Sequence, residues 1–274
     1  FKANYDNLES YIESLTHAIE TPYPPYLEIG LKVDGQYRQL NTNILQIENE
    51  YYSSVRPKQV PEFHEKPTLA LKRRGVRYVE LRSLDINIFD PHGISEVQCR
   101  FLETLMAFCL FQDSPVIGSL ERSEIDFNLD AVCYKGREPG LRLQRDGTSI
   151  ALKSWAGDLL DAMSGFAEIL DADRPDNPYC KALQEQVDAV RDSNQTASAR
   201  ILADMHAHKE GYFHFAKRMS EQHHAYFTHL PQNQQSFAAI EAAVTRSTQD
   251  QKAIEAADSQ SFDEFLQEYF SQSL

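Results

Sequence analysis

The stretch NTNILQIENEYYSSVRPK, Asn41 to Lys58, and its sequel YVELRSLDIN, Tyr78 to Asn87, decide how this chain is read. Both alternate apolar with polar residues, the period of a strand with one buried and one wet face. In the first, Gln46, Glu48, Glu50 and Tyr52 are expected on one face, with Leu45 and Ile47 on the other. In the second, Tyr78, Glu80 and Arg82 oppose Val79, Leu81 and Ser83. Two such strands in one sheet make a floor of carboxylates, amide, phenol and guanidinium over an apolar back. Carboxylates fixed on strands suit Mg²⁺, and a neighbouring arginine suits a transferring phosphoryl group. Arg56 and Lys58, just beyond, add positive charge fitted to nucleotide phosphates. The plainer alternative is a solvated sheet face on which Glu80 and Arg82 pair with strand neighbours.

Upstream of this pair, Leu8, Ile12, Leu15 and Ile19 recur at steps of three or four, predicting a helix over Tyr5 to Ile19 that stops at Pro22, Pro24 and Pro25. Asp34-Gly35 is a strong hairpin signal between extended segments at Leu27 to Lys32 and Tyr37 to Leu40. A proline-broken loop is expected from Arg56 to Pro67. Downstream, a turn at Asp90 to Gly93 leads to Ser95 and Gln98, spaced as a capping box for a helix through Phe111. Beyond about residue 150 the composition shifts to Ala, Gln, Asp and Glu at helical spacing. Helices are expected at about Lys153 to Ala172, Lys181 to Asp192, Ala197 to Lys209, Tyr212 to Phe227, Ser236 to Ala257 and Phe262 to Ser271. The fold class is therefore α+β. Residues 1–150 form part of an antiparallel catalytic sheet, and residues 151–274 a mostly helical region.

Composition narrows the chemistry. The 274 residues carry a formal charge of −14, which repels phosphate backbones and argues against nucleic acid as a partner. The 11 glycines never fall into G-x-G-x-x-G, and no G-x-x-x-x-G-K run exists, so dinucleotide and Walker-type loops are excluded. Gly136 and Gly140 have nucleophile-elbow spacing, but Glu138 stands where serine is needed. Cys99, Cys109, Cys133 and Cys180 are scattered without C-x-x-C spacing, which predicts reduced thiols and a cytoplasmic setting. The longest apolar run, Leu105 to Phe111, is too short to span a membrane, and the opening FKANYDNLES lacks the apolar region of a secretory signal. The histidines from His206 to His229 lack a metal motif backed by a carboxylate and read as structural or surface groups. The acidic run from Asp171 has Pro175 and Asp176 where a calcium loop needs a ligand and a glycine, and reads as a plain loop.

The two opening segments strongly resemble the proteobacterial glutamate–cysteine ligases. Further matches are AIETP at Ala18, GREPGL at Gly136 to Leu141, SARIL at Ser198 to Leu202 and EAAD at Glu255 to Asp258, in order along most of the chain. The resemblance implies a glutamine-synthetase-like funnel of antiparallel strands with helices outside. It also implies an ATP- and Mg²⁺-dependent (or Mn²⁺-dependent) ligase that phosphorylates the γ-carboxylate of L-glutamate before the amine of L-cysteine attacks, the first step of glutathione biosynthesis. By the same resemblance Glu80 is a metal-bridging carboxylate, Arg82 contacts the transferring phosphoryl group and Tyr52 lies beside the cysteine pocket. Gln46, Glu48, Asn49 and Glu50 belong to the same motif as substrate-binding candidates. Family members are nearly twice this length, and most of their metal and glutamate ligands lie upstream of the residue that is Phe1 here. The chain thus resembles the C-terminal half, is expected to be inactive alone, and counts the N-terminal half among its partners. Two other readings stand: a non-catalytic, helix-rich interaction module, and a related carboxylate–amine ligase with another amino-acid substrate.

Overall fold

The computed structural model describes residues 1–231 and 234–272. In chain order the elements are α1 (Leu8–Glu20), α2 (Pro24–Ile29), β1 (Lys32–Val33), β2 (Gln36–Tyr37), β3 (Val55–Lys58), α3 (Pro67–Arg74), β4 (Tyr78–Leu81), α4 (Glu96–Phe111) and α5 (Ser119–Lys135). There follow β5 (Arg142–Arg145), β6 (Thr148–Ala151), α6 (Leu152–Asp171), α7 (Pro178–Arg191), α8 (Ala197–His208), α9 (Tyr212–His229), α10 (Gln234–Ala257) and α11 (Phe262–Ser271). The fold is α+β. Its described strands form three separate two-stranded antiparallel ribbons, β1-β2, β3-β4 and β5-β6, in place of the single sheet expected.

The chain forms two compact units, Phe1–Leu84 with Pro231–Leu274, and Asp85–Leu230. The compositional change near residue 150 falls inside the second unit. Composition registers where helix content rises, whereas contacts return the last helices to the first 84 residues.

In the first unit, α1 starts where the Asn7 side chain accepts the Ser10 N–H at 2.8 Å. It buries Tyr11, Ile12, Leu15, Ala18 and Ile19 on one stripe. Tyr11, Ile12 and Leu15 pack with Ala3, Tyr51 and Leu71 into one core, each large side chain contributing about 1.5–3 kcal/mol of burial. The expected extended segment from Leu27 is instead the end of α2, because Pro24 and Pro25 open a helix here. The hairpin is confined to β1-β2, with Asp34 at φ 51° and Gly35 at φ 73°, the left-handed pair a two-residue type I′ turn requires. Pro67 likewise starts α3. Helix α11 is opened by a Ser261/Glu264 capping box and fastened beyond its end, where Lys66 Nζ donates to Gln272 O at 2.9 Å and Gln272 Nε2 to His64 O at 2.8 Å.

In the second unit α4 begins with the Ser95/Gln98 capping box, as its spacing predicts. Phe108 of α4 packs with Leu160, Met163 and Ala167 of α6 and Tyr179 and Leu183 of α7. The β5-β6 hairpin turns at Asp146 and Gly147, whose N–H groups donate to the Glu124 carboxylate of α5 at 3.1 and 2.7 Å. No helix among the described residues is long and apolar enough to cross a membrane.

Candidate active site

The β3-β4 ribbon carries the charged cluster. Its register sets Arg56 opposite Glu80 and Lys58 opposite Tyr78, and residues opposed in an antiparallel pair share a face. The pairing extends past the strand end, where Arg82 N donates to Ser54 O at 2.7 Å. Lys58 Nζ lies 3.4 Å and Arg82 Nη1 3.7 Å from the same oxygen, Glu80 Oε2. That oxygen is itself buried and accepts no hydrogen bond. One carboxylate thus stands between two cations, all three partly exposed, a geometry whose pairwise attractions amount to only about 0.2–1 kcal/mol each. The Arg82 guanidinium carbon sits 4.6 Å from the centre of the Tyr52 ring, a cation–π contact. Tyr52 is 71% exposed. Its neighbour Tyr51 faces inward and accepts the Ala3 N–H at 3.2 Å, and Tyr5 donates to Val55 O at 2.8 Å, so the link between them is pinned on its inner side.

The expected first strand is not one. Glu48–Glu50 form a 3₁₀ turn, and Gln46, Glu48, Glu50 and Tyr52 do not share a face. Gln46 Oε1 accepts Leu40 N at 2.6 Å, and Glu50 Oε2 accepts Gln46 N at 2.7 Å. These polar side chains satisfy nearby backbone, an alternative to a ladder that alternation alone does not reveal. Glu48 is 0% exposed. Its Oε1 accepts the Thr68 hydroxyl at 2.6 Å and its Oε2 the Tyr269 hydroxyl at 3.2 Å. Burial first, then the charge of Glu48, push the Tyr269 phenol above its ordinary pKa. Thr68 and Tyr269 escaped the sequence reading, because no local pattern ties them to Glu48. Asn49 is exposed at the turn.

Arg56 is only 5% exposed. Its Nη2 donates to Glu48 O at 3.3 Å, its Nε has no partner, and no carboxylate among the described residues pairs with it. A buried guanidinium without a counter-charge is costly to keep. Arg56 and Lys58 line a cleft of about 120 Å³ together with Asn49, Tyr78, Thr68 and Tyr11. Burial lifts the Tyr11 phenol above its usual pKa, with the Arg56 guanidinium opposing the shift.

A second group, Asp204, His208 and Glu210, brings its ligand atoms within 4.8 Å of one another. Arg218 already fills the place of a cation there: its Nε donates to Glu210 Oε1 at 3.1 Å and its Nη2 contacts both Asp204 and Glu210. Asp171, in the acidic run, accepts the N–H groups of Tyr179 and Cys180 at 3.0 and 2.8 Å, capping α7. Burial raises its pKa, but these donors outweigh burial and hold the carboxyl below its usual range.

One ribbon of this α+β chain thus carries a carboxylate flanked by two cations and a buried arginine with no carboxylate partner among the described residues. The family description "Glutamate-cysteine ligase" matches residues 1–132. Glutamate–cysteine ligases from Pseudomonas putida (strain W619) and Alcanivorax borkumensis are 45% and 42% identical, each over 97% of this chain and over 50% and 52% of their own length. The crystal structure of glutamate–cysteine ligase from Francisella tularensis in complex with AMP superposes with a TM-score of 0.90 at 35% identity, covering 98% of this chain and 53% of that one. A bifunctional glutathione synthetase from Pasteurella multocida shares the fold alone, with a TM-score of 0.55 at 17% identity over 82% of this chain and 24% of its own. The chain belongs to the bacterial glutamate–cysteine ligase family and corresponds to the C-terminal half of its members. It spans about half the length of the curated relatives it matches.

Proposed function

We propose that this chain supplies one part of an ATP-dependent ligase that joins the γ-carboxylate of L-glutamate to the amine of L-cysteine, in a cytoplasmic setting, and that an upstream half supplies the rest. The observation that carries the reading is the convergence of Lys58 and Arg82 on Glu80, beside Tyr52. A glutamate γ-carboxylate oxygen attacks the terminal phosphorus of ATP and ADP leaves. The cysteine amine then attacks the acyl carbon, expelling phosphate, and loses its proton. Charge builds on the phosphoryl oxygens in the first step, where Arg82 stabilises it, and positioning supplies most of the acceleration. Lys58 and Arg56, which line one cleft, hold phosphate oxygens. Tyr52 borders the cysteine side, with Asn49 at the same turn. Glu80, whose Oε2 accepts no hydrogen bond, would be the residue of this chain to hold a divalent cation. That ion would be Mg²⁺ or Mn²⁺, neutralising phosphate charge.

The test assays the chain with ATP, Mg²⁺, glutamate and cysteine, with and without the upstream half of a relative supplied in trans or by fusion. Dipeptide and ADP formed only in the joined preparation support the reading. Robust dipeptide from the chain alone would overturn the division of the site, and no product in either case would favour a non-catalytic module.

A further inference from the structure

Glu48 stands inside the motif and behind the cleft that Arg56 and Lys58 line, with none of its own surface exposed. Three elements meet at this residue. Its carboxylate takes the Thr68 hydroxyl of α3 and the Tyr269 hydroxyl of α11, while its carbonyl takes Arg56 Nη2 of β3 at 3.3 Å and closes the turn with Tyr51 N at 3.1 Å. Four residues after Glu48 comes Tyr52, and six residues after Tyr52 comes Lys58. Whatever fixes the turn at Glu48 therefore fixes where Tyr52 leaves it. A fully buried carboxylate with hydroxyl donors on both oxygens has few alternative positions, because releasing either donor strands a buried anionic oxygen. The second donor comes from 221 residues away, on a helix fastened by Lys66 to Gln272 and Gln272 to His64.

We infer that Glu48 is a positioning residue rather than a substrate ligand: clasped between Thr68 and Tyr269, it sets the turn from which Tyr52 is laid over Arg82, so that helix α11 governs the thiol-substrate side of the site. This rests on the ligase reading for the identity of that substrate. The geometric part does not depend on it.

Two measurements separate the two layers. In the chain itself, Trp155 is the single tryptophan; a Trp155→Phe, Tyr52→Trp reporter reads the exposure of position 52 by acrylamide quenching. Adding Tyr269→Phe, which keeps the ring and removes only the hydroxyl, is expected to change the quenching constant of the reporter, and Glu48→Gln to change it further. The hydroxyl-free control Thr228→Val, in the other unit, is expected to leave it unchanged. In the joined enzyme, Tyr269→Phe should raise KM for cysteine on the order of tenfold while kcat and KM for ATP stay within about twofold, the split expected from a displaced binding group. A parental quenching constant in a folded Tyr269→Phe reporter overturns the positioning role. A shifted reporter with parental cysteine KM overturns the link to the thiol side. An inactive parent enzyme would instead overturn the ligase reading, leaving the reporter result to decide the geometry.

Discussion

A carboxylate between two cations is a poor structural investment at a half-exposed site, since each pair returns little against the rotamer freedom lost. Glu80 is better explained as a group whose cations serve another anion. Replacing it by Gln keeps the shape and one acceptor while removing the charge. In the joined enzyme Glu80→Gln is expected to raise the Mg²⁺ concentration needed for half-maximal rate, and Arg82→Ala to lower kcat by about 10²–10³-fold with cysteine KM little changed. Parental rates in both folded variants at saturating Mg²⁺ and ATP would remove these residues from the site. Asp171 offers a test of structure alone. Its depressed pKa means its ionised form adds stability above the unfolded pKa, and that stability is lost as pH falls through the folded value. Asp171→Ala should therefore cost about 1–2 kcal/mol at neutral pH, with the gap from the parent shrinking on acidification. Equal gaps at pH 7 and pH 3 in chemical denaturation would refute the assignment.

At the level of elements, some locally stated signals are legible in the sequence, whereas what depends on distant partners is not. The capping box of α4 and the turn at Asp34-Gly35 are stated within four residues, and both are present. Asp146-Gly147 carries the same turn signal and forms the same left-handed pair, between RLQR and TSIA. Pro24, Pro67 and Pro178 do more than end the preceding segment: they open helices, the position where a missing N–H costs nothing. The 45–52 segment alternates like a strand, but Glu48 is captured by Tyr269, a contact no window could hold. Of the charged cluster, the alternation of Tyr78, Glu80 and Arg82 along β4 and just past its end is legible in the sequence, whereas the approach of Lys58 to Glu80 and the clasp behind them depend on distant partners. Ser95→Ala, removing a cap that α4 can replace only with water, should destabilise the chain by about 1 kcal/mol in urea denaturation without altering the m-value. An unchanged midpoint would mean that the box contributes nothing.

Considered as a whole molecule, the chain combines strong negative charge with apolar surface left open. The formal charge is −14, and every described side chain of α10 from Ser236 onward is exposed. These include Phe237, Ile240 and Val244, one stripe at steps of three and four, all more than half exposed. Such a stripe on an ordinary surface helix would face a core. Like-charge repulsion keeps copies apart at low ionic strength, and screening shortens its reach to about 8 Å at 0.15 M salt, while the apolar attraction is left intact. Purified alone, the chain is therefore expected to be monomeric in dilute buffer and to associate as salt rises, with binding of an apolar dye falling as association proceeds. Ile240→Glu with Val244→Glu should raise the salt needed for association. Supplying the upstream half should suppress association of the parent if that half covers the stripe, and sedimentation across a salt series reads all three outcomes. A chain that stays monomeric from dilute buffer to 0.5 M salt, or whose association ignores the two glutamates, would show that this face is not what drives its contacts.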